Sequence, residues 1–257
     1  MAETTLNKFQ TGQIILMDKP LTWTSFDVVG KVRYTLKKEL GIKKLKVGHA
    51  GTLDPLATGL LILCTGKFTK RIEEIQAQTK EYTGIITLGA TTASFDLEQP
   101  VDQAFPTEHI TPEMVEAAAQ SFIGEQLQTA PVHSAKKIDG KRAYEYARSG
   151  EEVKIKSNTI EIYDFKILSI SPQIEELKDL VKDYTPSNHI NAHSPYEKGL
   201  HIKFNIRCSK GTYIRSIARD LGEKLQSGGH LSELRRTKIG DFEVTNAIGI
   251  HQLNTLF

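Results

Sequence analysis

Asp54 is the residue whose type and surroundings are best suited to chemistry. It lies in the stretch 48–59, where Gly48, Gly51 and Gly59 permit unusual backbone conformations and the close approach of a ligand. Pro55 biases Asp54 toward an extended conformation, and a buried strand is predicted shortly afterwards. An acid fixed in this way is pre-positioned for chemistry. An aspartate that only caps a turn is the alternative, and local features alone favour it.

Charge is distributed unevenly along the chain. The stretch 31–46 holds seven basic residues and one acidic residue, the stretch 203–238 holds nine and three, and the stretch 73–125 leans acidic. Such segregation predicts a positive surface for an anionic polymer. A solvated helix face is the alternative for either run alone. Both runs flank candidate site residues, which favours nucleic acid.

Composition and motifs exclude several classes of protein. The 257 residues have an ordinary globular composition, with 39% hydrophobic and 25% charged residues. The longest strictly apolar run, 60–64, is much shorter than the about 20 residues of a membrane-spanning helix, and no secretory signal is visible. Two cysteines exclude a disulfide framework and are typical of the reducing cytoplasm. The phosphate loop, His-Glu-x-x-His and Gly-x-Ser-x-Gly motifs are incomplete or absent.

Strands and helices alternate in the apolar pattern. Apolar residues four positions apart predict a helix that begins at a Thr24 or Ser25 cap and stops at Gly41. The other predicted elements are strands over 13–17, 60–64, 81–88 and 200–209, paired strands over 155–170, and helices over 67–75, 111–122 and 214–225. The pattern favours the α+β class, with a mixed, mostly antiparallel central sheet flanked by helices and loops.

The stretch 48–59 resembles the catalytic loop of the TruB-type pseudouridine synthases, which isomerise uridine 55 in the T arm of tRNA. Five further segments resemble motifs of that family in the same order: 12–25, 80–82, 134–148, 208–215 and 234–237. The ordered set is specific, whereas any one motif alone would not be. Thr22 and Trp23 depart from the first motif, which bears on turn geometry more than on chemistry.

The resemblance implies three catalytic residues. Asp54 matches the family's catalytic aspartate, acting either as a nucleophile on the ribose or as a base at its 2′ position. Arg215 matches the arginine that pairs with that aspartate, and such a neighbour lowers a carboxylate pKa by roughly 1–3. A phosphate contact is the alternative for Arg215. Tyr82 matches the tyrosine that stacks on the target base, although a tyrosine in a strand is usually a core residue.

The resemblance also implies residues that bind the substrate. His49 matches a residue that packs against the flipped nucleotide, and Tyr213 and Leu234 match pocket residues. Lys19 matches a supporting residue behind the site. The basic residues of the RNA-gripping loop suit phosphate contacts and are Lys136, Lys137, Lys141 and Arg142.

The implied reaction needs no cofactor or metal, since the base is detached, turned and rejoined to the ribose through its C5 carbon. The implied partner is the T stem-loop of tRNA, and we expect a cytoplasmic monomer with no membrane attachment and no obligatory protein partner. We expect a single catalytic domain over 1–257. It would have an RNA-gripping insertion at about 130–153, a polar surface loop at about 171–198 and no C-terminal RNA-binding domain of the PUA type.

Two other functions stay open at the level of the sequence. The basic residues of the stretch 130–153 also suit an RNA chaperone that opens and refolds the tRNA elbow, with catalysis incidental. A synthase that acts on another RNA site, for example a guide-directed or ribosomal site, is the second alternative.

Overall fold

The computed structural model describes residues 8–134, 137–138, 140–143, 145–146, 155–174 and 192–257. These residues divide into two compact units. The first unit contains residues 8–82 and 234–257, and the second contains residues 83–174 and 192–233. Part of the predicted insertion at 130–153 and most of the predicted loop at 171–198 lie outside the described residues.

The elements follow one another along the chain. The strands are β1 (Ile14–Lys19), β2 (Val47–His49), β3 (Ala57–Thr65), β4 (Lys80–Leu88), β5 (Ala90–Thr92), β6 (Val101–Ala104), β7 (Gly124–Gln128), β8 (Lys137–Ile138), β9 (Lys141–Arg142), β10 (Asn158–Ser171), β11 (Leu200–Cys208), β12 (Gly229–Ile239) and β13 (Phe242–Glu243). The α-helices are α1 (Ser25–Glu39), α2 (Ile72–Ala77), α3 (Pro112–Gln120) and α4 (Ile214–Lys224), and 3₁₀ helices cover Gly66–Arg71, Val244–Asn246 and Ile250–Leu256.

The first unit is built on β3, in the strand order β1–β3–β12–β4. β1 pairs with β3 in the antiparallel sense, and β12 pairs with it in parallel, with Leu234 opposite Ala57. All nine residues of β3 are buried, because a strand covered on both edges and both faces has no solvent-facing side. The strands predicted at 13–17 and 60–64 are confirmed and extend further, to Lys19 and from Ala57.

Helix α1 covers one face of this unit and has the predicted start. The Thr24 side chain accepts from the Asp27 amide while Asp27 accepts from the Thr24 amide, so two otherwise unpaired donors are satisfied. Val28, Val32 and Leu36 are completely buried, as their spacing of four residues predicts. The helix therefore holds its N-terminal end, including Ser25, in a fixed place.

The helix predicted over 67–75 is wrong in type over its first half. Residues Gly66–Arg71 form a 3₁₀ helix, and the α-helix begins only at Ile72. Gly66 has a positive φ, and a Cβ there would lie 2.1 Å from the Gln10 carbonyl oxygen. This close approach fixes the tight first turn, and periodicity alone does not reveal it.

The second unit has the strand order β12–β4–β11–β10–β7, and β4 and β12 contribute residues to both units. The paired strands predicted over 155–170 are wrong, because Asn158–Ser171 is one strand of 14 residues. β10 pairs with β11 along most of its length and with β7 at its start. Register shifts within β10 disturb the alternation of apolar residues, so the sequence resembles two strands rather than one. The strand predicted over 200–209 and the helix predicted over 214–225 are confirmed.

The fold class is the predicted one. In the main sheet β1 with β3, β7 with β10 and β10 with β11 pair in the antiparallel sense, β3 with β12 pair in parallel, and helices pack beside the strands. Among the residues that the structure describes, no helix is both long and apolar enough to cross a membrane.

Candidate active site

The loop that carries Asp54 joins β2 to β3 and is fixed first by Ser25. The Ser25 hydroxyl accepts a hydrogen bond from the Leu53 amide at 2.9 Å and donates one to the Leu53 carbonyl at 3.1 Å. Ser25 is buried at the start of α1, and Leu53 is buried as well. A buried side chain that satisfies both backbone groups of one residue prevents that residue from rotating. Asp54, the next residue, is half-buried.

Lys19 holds the other side of Asp54. Its ammonium group is buried at the end of β1 and donates to the carbonyl oxygens of Pro20 (3.0 Å), Trp23 (2.6 Å) and Pro55 (3.1 Å). The Pro55 carbonyl also accepts from the Thr22 amide at 2.9 Å. These contacts tie the residue after Asp54 to the chain that enters α1.

Arg236 closes the loop from β12. Its buried guanidinium donates to the carbonyl oxygens of Gly51 at 3.0 Å, Thr52 at 3.5 Å and Leu60 at 2.8 Å. A guanidinium presents several donors in one rigid plane, so a single side chain joins both ends of the loop. Ser25, Lys19 and Arg236 together fix the backbone on both sides of Asp54.

Gly59 allows β12 to approach the loop. Its φ is +97°, and a Cβ there would lie 2.4 Å from the Arg236 carbonyl oxygen. Only glycine fits this position, because any other residue would push β12 away from β3. The glycine therefore sets the distance from which Arg236 reaches the loop.

Buried ionisable side chains near Asp54 influence one another. Burial lowers the pKa of Lys19 from 10.5 to about 7, the negative charge of Asp54 opposes that fall, and the positive charge of Arg236 adds to it. Two buried basic side chains, Lys19 and Arg236, thus lie near Asp54 in the same unit.

His49 ends β2 and lies at the edge of the loop. Burial lowers its pKa below the usual value, the Gly51 backbone opposes that fall, and the Arg236 charge adds to it. The imidazole is therefore neutral near pH 7. Its ring meets the ring of Phe26 edge-on, with centroids 5.7 Å apart and an interplanar angle of 84°. A neutral, half-buried ring of this kind suits contact with a nucleobase.

Leu234 and Tyr82 lie on strands of the same unit. Leu234 is buried, pairs with Ala57, and its carbonyl accepts from the Thr58 hydroxyl at 3.4 Å, which places it where the loop enters β3. Tyr82 is buried in β4, and the neighbouring Glu81 carbonyl accepts from the Thr237 hydroxyl at 3.2 Å. The structure thus brings the Asp54 loop, Lys19, His49 and Leu234 together, while the role of Tyr82 stays a prediction.

Arg215 belongs to the second unit, in the first turn of α4. Its guanidinium donates to the carbonyl oxygens of Ser94 at 3.1 Å and His133 at 3.0 Å, and it forms an ion pair with Asp96 at 3.4 Å. Arg215 and Asp96 are both almost completely buried. The predicted pairing of Arg215 with Asp54 joins residues of different units and stays a prediction.

Tyr213 precedes the same helix and is held by Gln128. The Gln128 side-chain amide accepts from the Tyr213 amide at 2.8 Å and donates to the Tyr213 carbonyl at 3.1 Å. Gln128 is buried at the end of β7, so the Tyr213 backbone is fixed while its side chain is half-buried. This arrangement suits the pocket role predicted for Tyr213.

The basic residues of the predicted RNA-gripping loop are only partly described. Lys136 lies outside the described residues, and Lys137 and Arg142 pair through their backbones as β8 and β9. Gly140, with a φ of +88°, makes the turn between these strands, as predicted. The exposed Lys141 ammonium lies 5.5 Å from the centroid of the Tyr146 ring.

Three residues of the site were not predicted individually: Ser25, Arg236 and Asp96. The sequence predicts Ser25 only as a helix cap, and Arg236 only as part of the family-like segment 234–237. Asp96 follows a residue with a positive φ, Phe95, in a tight turn that no glycine or proline marks. The signal in the sequence is that Asp96 is a charged residue in a stretch of apolar and small residues. This signal does not indicate that Arg215 is its partner.

Comparison with known proteins identifies the chain. The family model described as "TruB family pseudouridylate synthase (N terminal domain)" matches residues 37–214, and the model described as "tRNA pseudouridylate synthase B C-terminal domain" matches residues 215–257. A curated protein of Phocaeicola vulgatus named tRNA pseudouridine synthase B is 50% identical over 94% of this chain and 92% of its own length. The protein of the same name from Flavobacterium johnsoniae is 48% identical over 96% of both chains.

Solved structures are similar in fold. A chain of a Cbf5–Nop10–Gar1 complex has a TM-score of 0.64 and 25% identity over 99% of this chain. A chain of an H/ACA RNP bound to a substrate RNA containing 2′-deoxyuridine has a TM-score of 0.62 and 23% identity over the same share. This chain spans just over half the length of those solved chains, at 56% and 55%.

Proposed function

The chain belongs to the TruB family of pseudouridylate synthases, and we propose that it converts uridine 55 in the T arm of tRNA to pseudouridine. The observation that supports this most strongly is the fixed loop around Asp54. The loop that resembles the family's catalytic loop is held by Ser25, Lys19 and Arg236, all of them buried. The curated relatives named for tRNA favour this substrate over a guide-directed or ribosomal site, and over the chaperone alternative.

Asp54 performs the chemistry in this proposal. Its carboxylate either attacks C1′ of the target ribose or removes the proton at C2′, and in both routes the bond between C1′ and N1 breaks. The base turns and a bond forms between C1′ and C5. In the first route this bond replaces the ester between Asp54 and C1′, and in the second route Asp54 returns the proton to C2′. N1 gains a proton and C5 loses one. Atoms and charges balance with no oxidant and no co-reactant. The anchored loop lowers the cost of placing the carboxylate, because its position is fixed before the substrate binds.

The other site residues hold the target nucleotide. Tyr82 stacks on the base, and such contacts contribute about 1–3 kcal/mol each. His49 packs against the flipped nucleotide, and contact with its neutral ring offsets part of the few kcal/mol that flipping costs. Tyr213 and Leu234 complete the pocket, and Lys19 supports the loop from behind.

Two charged groups complete the proposal. Arg215 pairs with the Asp54 carboxylate in this proposal, as the family resemblance implies, and Asp96 holds the guanidinium within its own unit. Lys136, Lys137, Lys141 and Arg142 contact phosphates of the T arm. We also infer that the protein acts in the cytoplasm, where its tRNA substrate is, as a monomer because RNA occupies its basic surface, and without a cofactor because the reaction balances without one.

Nucleoside analysis of a tRNA transcript tests the proposal. After incubation with the enzyme, the transcript is digested and its pseudouridine is quantified by chromatography. We expect about one pseudouridine per transcript, and none when uridine 55 is replaced by cytidine. Pseudouridine in the cytidine-55 transcript would contradict the assigned position, and none in either transcript would contradict the activity.

A further inference from the structure

The exposed side of α1 carries a row of residues that the proposed reaction does not use. We define the α1 face as Phe26, Gly30, Arg33, Tyr34, Lys37 and Lys38. Residues 26, 30, 33 and 37 follow the helical spacing of four, three and four, so they lie along one line on the helix. From residue 26 to residue 38 the helix rises about 18 Å, at about 1.5 Å per residue.

The row begins at the candidate active site. Phe26 is 68% exposed, and its ring meets the ring of His49 edge-on. A phenylalanine this exposed contributes little to the core, yet it lies beside a residue proposed to contact the flipped nucleotide. Tyr34, 65% exposed, follows two turns further along the same side. Aromatic rings at both places offer flat surfaces to a base or a ribose.

Gly30 has no structural reason to be glycine. It lies in the middle of α1, its φ is not positive, and a Cβ there would have no atom within 4 Å. A glycine inside a helix costs about 1 kcal/mol relative to alanine, so the position destabilises the helix without any packing benefit. The absence of a side chain between Phe26 and Arg33 leaves room for a ligand whose backbone must approach the helix closely.

The charge of the α1 face is unbalanced. The stretch 31–46 contains seven basic residues and only Glu39 as an acid. Within the part of the chain that the structure describes, none of those seven side chains forms an ion pair with a carboxylate. Of these, Arg33, Lys37 and Lys38 belong to the α1 face. Lys37 and Lys38 lie in the last turn and also favour the helix dipole, which explains two of the three but not Arg33.

We propose that the α1 face binds the sugar–phosphate backbone of the substrate RNA, with Phe26 stacking on a nucleotide next to the one that His49 contacts. The proposal rests on the proposed function for the identity of the RNA. The ligand is RNA rather than a protein because the α1 face combines exposed aromatic rings with basic side chains and begins beside His49. Gly30 is the point of closest approach.

Direct binding of fluorescently labelled tRNA tests the charge of the α1 face. The triple variant Arg33→Gln/Lys37→Gln/Lys38→Gln is compared with a matched triple of exposed lysines in the second unit, Lys166→Gln/Lys198→Gln/Lys224→Gln. Loss of three phosphate contacts lowers the slope of log K against log salt by about 2 to 3 and raises Kd on the order of 10- to 100-fold near 100 mM salt. Equal slopes for the two triples would overturn the proposal and leave a protein partner as the occupant.

Two neutral variants separate binding from helix stability. We expect Phe26→Leu to weaken tRNA binding about tenfold and Phe26→Tyr to restore it, since the aromatic ring rather than its bulk is required. We expect Gly30→Gln to raise the unfolding temperature while weakening tRNA binding, because a better helix former then occupies the point of approach. A Gly30→Gln variant that binds tRNA as wild type does, together with a Phe26→Leu variant that also does, would overturn the proposal.

The same measurements distinguish failure of this proposal from failure of the proposed function. Binding is recorded without turnover, so the α1 face is tested whether or not pseudouridine forms. Pseudouridine formation by wild type with equal salt slopes for the two triples would refute the α1 face alone. If the first triple lowers the slope of log K against log salt while wild type forms no pseudouridine, the proposed reaction alone is refuted.

Discussion

Lys19 makes the stability of the protein depend on pH in a way that one substitution removes. Its ammonium group is completely buried, and its pKa falls to about 7 from 10.5 in a solvated chain. Between these two values the unfolded chain holds the proton and the folded chain releases it. The free energy of unfolding therefore rises with pH across this window, and below pH 7 both states hold the proton and the dependence disappears.

The size of this effect follows from the two pKa values. Each pKa unit corresponds to about 1.4 kcal/mol, and the folded protein is half-protonated at Lys19 at pH 7. From pH 7 to pH 9 the contribution of Lys19 to the free energy of unfolding is then about 2 kcal/mol. Lys19→Met has no ionisable group there and lacks this contribution. It also removes a donor from three carbonyl oxygens. The Pro55 oxygen keeps the Thr22 amide, and the loss costs about 1–3 kcal/mol for each of the other two, Pro20 and Trp23, that stays buried.

Urea unfolding at pH 7 and pH 9 checks the prediction. The exposed lysine variant Lys224→Met serves as the control, because every other titrating group is shared. We expect wild type and Lys224→Met to gain about 2 kcal/mol more than Lys19→Met between the two pH values. An equal gain in all three proteins would refute the conclusion that burial lowers the pKa of Lys19.

Three further predictions concern the supports of the site. Arg236→Gln removes donors to three carbonyl oxygens, so we expect urea unfolding to show a loss of about 3 kcal/mol and turnover to fall; wild-type turnover would contradict its role in the loop. Asp96→Asn leaves Arg215 buried without its anion, and we expect a loss of about 3–5 kcal/mol in the same measurement, whereas a loss below 1 kcal/mol would show that the pair contributes little. Gly59→Ala places a Cβ 2.4 Å from a backbone oxygen, so we expect calorimetry to show a much lower unfolding temperature, while the control Gly30→Ala raises it.

Elements with regular spacing were predictable from the sequence. The buried side of α1 was visible because Val28, Val32 and Leu36 repeat every four residues, and β11 was visible because its apolar residues alternate. The 3₁₀ segment Gly66–Arg71 was not, because the close approach of Gln10 to Gly66 fixes its turn. The single long strand β10 was not either, because its register shifts break the alternation that predicts a strand.

The candidate site was predictable in part for the same reason. Glycine and proline mark the Asp54 loop locally, and the resemblance named His49, Lys19 and Leu234, which the structure places in the same unit. The supports of the loop were not identified, because Arg236 acts on carbonyl oxygens 176 to 185 residues away. The partner of Arg215 within its own unit, Asp96, lies 119 residues earlier and bears no local mark of that pairing.

Release of tritium from a T-arm hairpin made with 5-tritiated uridine tests the central claim most directly. The bond that forms between C1′ and C5 must expel the hydrogen at C5, so release reports the isomerisation itself. We expect release by wild type and none by Asp54→Asn, with the hairpin bound by both proteins. Release by Asp54→Asn at the wild-type rate would contradict the account, because another group would then perform the chemistry assigned to Asp54.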